Sequence, residues 1–457
     1  MLNATILSIR KIVLSALLIF PLMIPALAQT GAGWYTEGKD FSPTHRIKIT
    51  LTNTLQIPLE EQPVVIPRTA LPVQNIPERS VAVVDPRLPS NTDPSEKDLK
   101  KMSGYLRRKE TNGHSIELQL DDIDKDGIWD EICFLTNLAP KESRDFYIYI
   151  DDYERGMFKH RVHAGIGNYG RHTVPFWESE NIGWKLWYPH DLDIHGKRAP
   201  MLTAYYEYST NNSGYYMPWE MGTDIMTVAK TFGAGGICIF ENPEDDEHPA
   251  RAYYSPAKGK GPLMDSRFSF DVVYNGPIRS MIKVTTTNWN SGQGTYALEQ
   301  YYSAYANKNW STVEVKFNKL MPVNKNIYFG AGIRKIMSEY KSVNKGGIIL
   351  SMGKDIEARI PDEDIGDNAL VVPWQGIGMI IKDKYKPKYT PIKNYGGNHL
   401  LKFPVTEDHR FEYMVLGGWS FGEVVNNEQS FIKYAETEAL KYNMPPEITI
   451  HAYETKN

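Results

Sequence analysis

The sequence predicts an all-β protein: an N-terminal β-sandwich followed by a large β-sandwich of the supersandwich kind. Three observations carry this. Short runs rich in Val, Ile, Thr, Tyr and Phe recur along the chain, divided by Gly, Pro, Asn and Asp. Two of them, Ile116-Glu-Leu-Gln-Leu120 and Val313-Glu-Val-Lys-Phe317, alternate with period two, as strands do with one face in a core and the other in water. Stretches at helical spacing are almost absent.

The elements follow in chain order. Arg10 and Lys11 precede an apolar run, Ile12 to Leu27, that closes on Ala26-Leu27-Ala28. This is the pattern of a secretory leader, so residues 1–28 stand outside the fold and the expected compartment is periplasmic or extracellular. The run is short and broken by Pro21 and Pro25, which argues against a retained membrane anchor. Residues 29–155 are expected to form the first domain, with strands over 46–51, 116–120 and 145–150. Eight prolines between Pro58 and Pro94 predict an irregular wrap there, because proline has no N–H for a ladder. A short helix is expected over 95–106. Residues 156–457 are expected to form the second domain, with strands over 267–274, 280–287, 311–317, 376–381 and 411–416. One helix is expected near the end, where Ile432, Ala435, Ala439 and Tyr442 recur with Phe431 and Leu440 beside them and Pro445-Pro446 supplies the stop.

Charge narrows the partners. The formal net charge is −4, and loss of Arg10 and Lys11 makes it −6. That balance argues against nucleic acid, which calls for a basic patch. It leaves room for an acidic ligand held by a few cations in one cleft. Cys133 and Cys238 are the two cysteines; sequence leaves their pairing open and favours two buried thiols.

Residues 169–219 hold twelve aromatic side chains in 51 residues, twice the 12% of the whole chain. His172, His190, His195, Lys197 and Arg198 are threaded among them. Rings stack on the apolar face of a sugar, and histidines move protons near neutral pH. A tyrosine-rich β-core would give the same composition.

Other motifs are weaker. Asp122, Asp124, Asp126 and Asp130, with Gly127 at the turn, offer the oxygen ligands of a structural calcium site on a loop between strands. Cys133 stands where a helix-loop-helix calcium loop would place a bidentate Glu. An Asp-rich turn held by side-chain to backbone bonds explains the same residues. Gly165-Ile-Gly-Asn-Tyr-Gly170 has the letters of a dinucleotide fingerprint, but Pro175 and aromatics follow where a helix is needed. Gly233-Ala-Gly-Gly236 reads as a tight turn before a strand. No nucleophile elbow and no zinc-protease motif is present, and no organic cofactor is implied.

Several segments together resemble a secreted bacterial family, the domain of unknown function DUF4861. They are Gly170-Arg-His-Thr-Val-Pro-Phe-Trp-Glu-Ser-Glu-Asn-Ile-Gly-Trp184, Asp193-Ile-His-Gly-Lys-Arg198, Gly222-Thr-Asp224 leading to Gly233-Ala-Gly-Gly236, and the Asp122–Glu131 loop. The family's genes sit in polysaccharide-utilisation loci beside hydrolases of unsaturated uronides. The resemblance implies a carbohydrate-active lyase, most concretely a dehydratase that removes water from the terminal uronic acid of ulvan oligosaccharides. It brings no residue-level motif with it.

Elimination across C4–C5 needs a cation for the carboxylate, a base for the C5 proton and an acid for the leaving hydroxyl. Arg198, Lys197 or Arg171 suits the first role, His172 or His195 the second, and Tyr205, Tyr206 or Tyr188 the third. Trp177, Tyr188, Lys197 and Trp219 are expected to bind the acidic oligosaccharide. If this segment is scaffold, the chemistry belongs downstream, around Tyr301, Arg334, Tyr395 and His399. A polysaccharide lyase and a non-catalytic glycan-binding protein are the alternative readings.

Overall fold

The computed structural model describes residues 33–37, 41–73, 76, 81–90, 110–151, 158–169, 172–187, 192–204, 221–228, 231–252, 266–356 and 371–456. The expected 95–106 helix and the leader lie outside them. Among the described residues the fold is all-β, with antiparallel sheets, two single-turn 3-10 segments and one long helix.

The first sandwich packs a three-stranded sheet against a five-stranded one. The three-stranded sheet runs in the order Leu59–Pro67, Glu131–Leu138, Leu118–Asp121, and the five-stranded one in the order Glu447–Thr455, His45–Thr52, Ser143–Ile150, Val81–Asp85, His114–Ser115. Ile47, Ile49, Leu51, Val83, Ile132, Phe134, Phe146 and Ile148 fill the space between. Two expectations change here. The 58–94 segment is not an irregular wrap, since it supplies Leu59–Pro67 and Val81–Asp85. Leu59–Pro67 is an edge strand, where alternate N–H groups face away from the neighbour, so Pro63 and Pro67 are tolerated. The second change is topological. Glu447–Thr455, expected with the second domain, pairs with His45–Thr52 and closes the first sandwich from the far end of the chain.

The second sandwich is built on an eight-stranded sheet. Its order is Arg267–Asn275, Arg279–Asn290, Gly294–Tyr305, Trp310–Pro322, Arg410–Trp419, Val371–Ile381, Ile348–Ile356, Ser338–Lys345. Against its inner face lie two smaller sheets. One has five strands, Val162–Tyr169, His172–Ser179, Ile182–Leu186, Leu192–Lys197 and Gly222–Asp224 in chain order. The other runs Gly236–Phe240, Tyr328–Arg334, Asn398–Pro404, Lys388–Ile392. Trp177, Trp184, Ile194, Val313, Val315, Phe329, Ile377, Tyr413 and Val415 meet in the shared core.

The helix Glu428–Asn443 covers the outer face of the large sheet with Phe431, Ala435 and Ala439, and Leu440, expected on its apolar face, is half exposed. Asn427 caps it through the Ser430 N–H. Cys133 and Cys238 are buried and unpaired. No helix among the described residues is long and apolar enough to cross a membrane.

The two sandwiches are joined by buried polar contacts. Gln119 Oε1 accepts from the backbone N–H groups of Ile278 and Arg279, both at 2.9 Å, and Arg279 pairs with Asp121 at 2.5 Å and Glu131 at 2.7 Å.

Candidate functional site

The five-stranded sheet has two unlike faces. Strand alternation sends Trp177, Ile182, Trp184, Leu186, Leu192 and Ile194 into the core. The intervening positions are Glu178, Lys185, Asp193, His195, Lys197 and Asp224, each at most 4% exposed. Lysine, aspartate and glutamate are almost never buried this fully unless paired.

They are paired, in two groups. Lys185 Nζ lies 2.7 Å from Asp224 Oδ2, 3.2 Å from Asp193 Oδ2 and 2.8 Å from His195 Nε2. The backbone ladder aligns them, since Lys185 faces Asp193 and His195 faces Asp224. An ammonium has only hydrogens to give, so His195 Nε2 accepts and the ring proton sits on Nδ1. Burial first, then the charges of Lys185 and Lys197, push the His195 imidazole well below its ordinary value, and it stays neutral. Burial and the neighbouring Asp224 charge push Asp193 well up, against Lys185. Asp193, His195 and Asp224 also turn their ligand atoms to within 4.8 Å of one another, as metal ligands do, but the Lys185 ammonium already bonds all three.

Lys197 forms the second group. Its ammonium is held by Glu178 together with the carbonyls of Ser179 at 2.5 Å and Met201 at 2.8 Å. Glu178 also accepts from the Thr203 and Ala204 N–H groups at 2.9 and 3.0 Å, and His163 Nδ1 lies 3.4 Å away. Burial alone would raise the Glu178 carboxyl, yet Lys197, His163 and these N–H groups outweigh it and hold it at about 2. Lys197 thus anchors the chain leaving its strand, and its hydrogens are spent on the protein instead of reaching toward a ligand.

Other expected residues distribute as follows. Trp177 is a correction: it is fully buried, its Nε1 donates to Ser311 Oγ at 2.8 Å and its ring lies 4.8 Å from Tyr302, so it is core and not a sugar platform. Arg198 is half-buried, with its guanidinium 4.8 Å from the centre of the Phe421 ring. His172 begins a strand opposite Tyr169, and its side chain lies outside the description. Arg171, Tyr188, His190, Tyr205, Tyr206 and Trp219 lie outside the described residues. In the Asp-rich loop, Asp122, Asp124 and Asp130 bring oxygens within 4.8 Å of one another. Asp126 is not in that group and instead accepts from Ile128 N–H at 2.7 Å. The other three also cap backbone: Asp122 accepts from Gly127 N–H at 2.9 Å, Asp124 from Asp126 N–H at 3.2 Å and Asp130 from Ile123 N–H at 2.7 Å.

A further polar chain lies where the four-stranded sheet meets the edge of the large one. Arg334, 4% exposed, ends its strand with Nη1 3.6 Å from Asp355 Oδ2, and that Nη1 has no hydrogen-bond partner among the described residues. Burial lowers the Arg334 guanidinium, while the nearby Asp355 and Asp193 charges act the other way, so it lies within electrostatic reach of the Lys185 group. One ladder position away, His399 is registered with Ile333 and Asn398 with Arg334, so the His399 and Arg334 side chains leave opposite faces of the sheet and form separate groups. His399 bonds Glu339 and Tyr389, each at 2.7 Å.

Gly233 seats this region. Its φ of +57° suits glycine, and a Cβ there would meet the Leu192 carbonyl at 2.4 Å. Its own carbonyl accepts from the Arg334 N–H at 2.7 Å. The Gly-rich turn expected before a strand therefore joins the His195 strand to the Arg334 strand.

Lys185, Asp193, Asp224, Glu178 and Glu339 were not foreseen. Asp193-Ile-His-Gly-Lys197 does carry a signal, because polar residues occupy every second position of a buried strand.

The sequence matches, over residues 51–448, the family described as Domain of unknown function (DUF4861). The chain belongs to this family. Among solved structures, this DUF4861 chain is similar to an alpha-mannosidase from Enterococcus faecalis V583, at 11% identity and a TM-score of 0.45, over 90% of this chain and 46% of that one. It is also similar to a protein in the glycosyl hydrolase family 38 from Enterococcus faecalis, at 10% identity and a TM-score of 0.45, over 90% and 48%. The chain thus spans about half the length of either. No curated protein matches it in sequence.

Proposed function

We propose that this chain is a carbohydrate-active carbon–oxygen lyase that removes water from the terminal uronic acid of an acidic, ulvan-type oligosaccharide and leaves a 4,5-unsaturated uronide. The observation that carries the reading is Arg334. A buried guanidinium paired only loosely, with Nη1 3.6 Å from Asp355 Oδ2, can receive a substrate carboxylate as well. Binding the uronate there neutralises the charge that develops next to C5 as its proton leaves, in a site dry enough for the effect to be large.

The same reading gives Asp122, Asp124 and Asp130 a structural cation, calcium by the chemistry of an all-oxygen set. It also includes export to the periplasm or beyond, which rests on the leader ending at Ala28.

The test is mass spectrometry of uronate-terminated oligosaccharides before and after incubation, with absorbance followed at the band of a conjugated uronide. The expected product is lighter by one water. A chain split in two would mean a polysaccharide lyase. Unchanged sugar with measurable binding would mean a glycan-binding protein. Arg334→Lys should raise KM for uronates, because a point charge does not reproduce the guanidinium fork.

A further inference from the structure

We propose that Tyr389, backed by His399 and Glu339, is the proton-transfer group of this elimination, serving first as base and then as acid; the inference rests on the dehydratase reading. The hydrogen-bond directions supply the argument. Glu339 Oε2 lies 2.7 Å from His399 Nε2, and a carboxylate only accepts, so Nε2 carries the ring hydrogen. Nδ1 then presents its lone pair, and the Tyr389 hydroxyl, 2.7 Å away, donates to it. The phenol hydrogen is therefore aimed at the imidazole, and the oxygen lone pairs are left facing away from it. This is the nucleophile–histidine–carboxylate logic with a phenol in the first place.

The supports are in position. Ser351 Oγ donates to the same Glu339 oxygen, and Lys335 Nζ lies 3.6 Å from the other. Burial alone would raise the Glu339 carboxyl, but His399 and Ser351 outweigh it and hold it below the usual range, so it remains ionised to steady an imidazolium. The Tyr389 and His399 rings are near-parallel, 22° apart with centres 6.0 Å from each other, and lie end to end through this hydrogen bond. His399 is 8% exposed, whereas Tyr389 is half-buried on the edge strand Lys388–Ile392, so the phenol is the member of the chain that a sugar can reach. His195 has no comparable lone pair on offer, since its Nε2 accepts from Lys185.

The steps balance. The C5–H bond breaks and its electron pair forms the C4–C5 double bond. The C5 proton goes to the Tyr389 oxygen as the phenol's own proton passes to His399 Nδ1. The C4–O bond breaks, and the departing oxygen keeps the bonding pair, takes a proton from Tyr389 and leaves as water. The imidazolium then returns its proton to the phenolate.

The experiment compares wild type with Tyr389→Phe, His399→Gln and Glu339→Gln on the same uronate oligosaccharide. Tyr389→Phe should lower kcat by roughly 100- to 10,000-fold with KM little changed, since loss of a positioned proton-transfer group acts on the chemical step. Glu339→Gln should lower kcat less and keep KM, as a positioning residue does, whereas a packing defect would move Tm. Product from Tyr389→Phe at the wild-type rate would overturn the relay and leave the dehydratase reading standing. No water lost with wild type would overturn both. If His399→Gln does not fold, Tyr389→Phe decides alone, because it keeps the ring.

Discussion

His195 shows how far burial can alter one residue. The sequence offers it as a base because histidine titrates near neutral pH. In the fold it is neutral for the opposite reason: burial, Lys185 and Lys197 exclude its charged form. The sign of the consequence is definite. Below about pH 6.5 the unfolded imidazole binds a proton that the folded one refuses, so the unfolded state gains protons and stability falls as pH falls. Wild type should therefore lose stability more steeply than His195→Gln as pH falls below about 6.5, by at most about 1.4 kcal/mol per pH unit. Urea unfolding at stepped pH checks this, and parallel pH profiles would mean that His195 is protonated in the fold. Lys185 explains why the site residue was only half legible. A lone lysine between Trp184 and Leu186 has the look of a surface residue, and its ion pairs form only when three strands align.

At the scale of elements, composition was the dependable signal, in short runs rich in Val, Ile, Thr, Tyr and Phe between turn residues; of the two runs that alternate with period two, 116–120 is strand only from Leu118. Composition located the strands at 46–51, 145–150, 267–274, 280–287, 311–317, 376–381 and 411–416 to within a few residues of their observed ends, except that Gly376–Ile381 and the 311–317 strand each extend by five residues at one end. It misled over 58–94, where proline count hid an edge strand that can carry prolines. Aromatic density misled at Trp177, because composition does not say which face of a strand a ring occupies. The Asp-rich loop was legible as a loop between strands, Leu118–Asp121 and Glu131–Leu138, and its ligand set was legible in part. Three of its four carboxylates converge and Asp126 turns to its own backbone. Millimolar calcium should raise Tm by mass action, and Asp122→Asn should abolish the rise while Asp126→Asn spares it. Differential scanning calorimetry with and without chelator measures this; an identical Tm in both would leave the loop as a set of capped turns.

The whole molecule depends on a contact that no local pattern announces. Glu447–Thr455 was expected to end the second domain, yet its ladder is with His45–Thr52. Deleting residues 447–457 should leave His45–Thr52 as a bare edge and strip Ile450 and Tyr453 from the side of the core, and such edges pair with other chains. The expected result is a loss of Tm together with concentration-dependent aggregation, read by light scattering beside the intact protein. Retained Tm and a monomeric truncation would show that the strand is an ornament on a sheet that needs only four.

The same pairing has a temporal meaning. A polypeptide emerges from the ribosome N-terminus first, at about 5–20 residues per second, and a domain ordinarily folds once its own residues are out. Here the early sandwich lacks one strand until residues 447–455 are present, some four hundred positions after its first ladder begins. Closing so long a loop is slow. Until Glu447–Thr455 docks, His45–Thr52 keeps one side of its ladder open, so completion of the N-terminal sandwich is tied to a segment that follows the whole second sandwich in sequence.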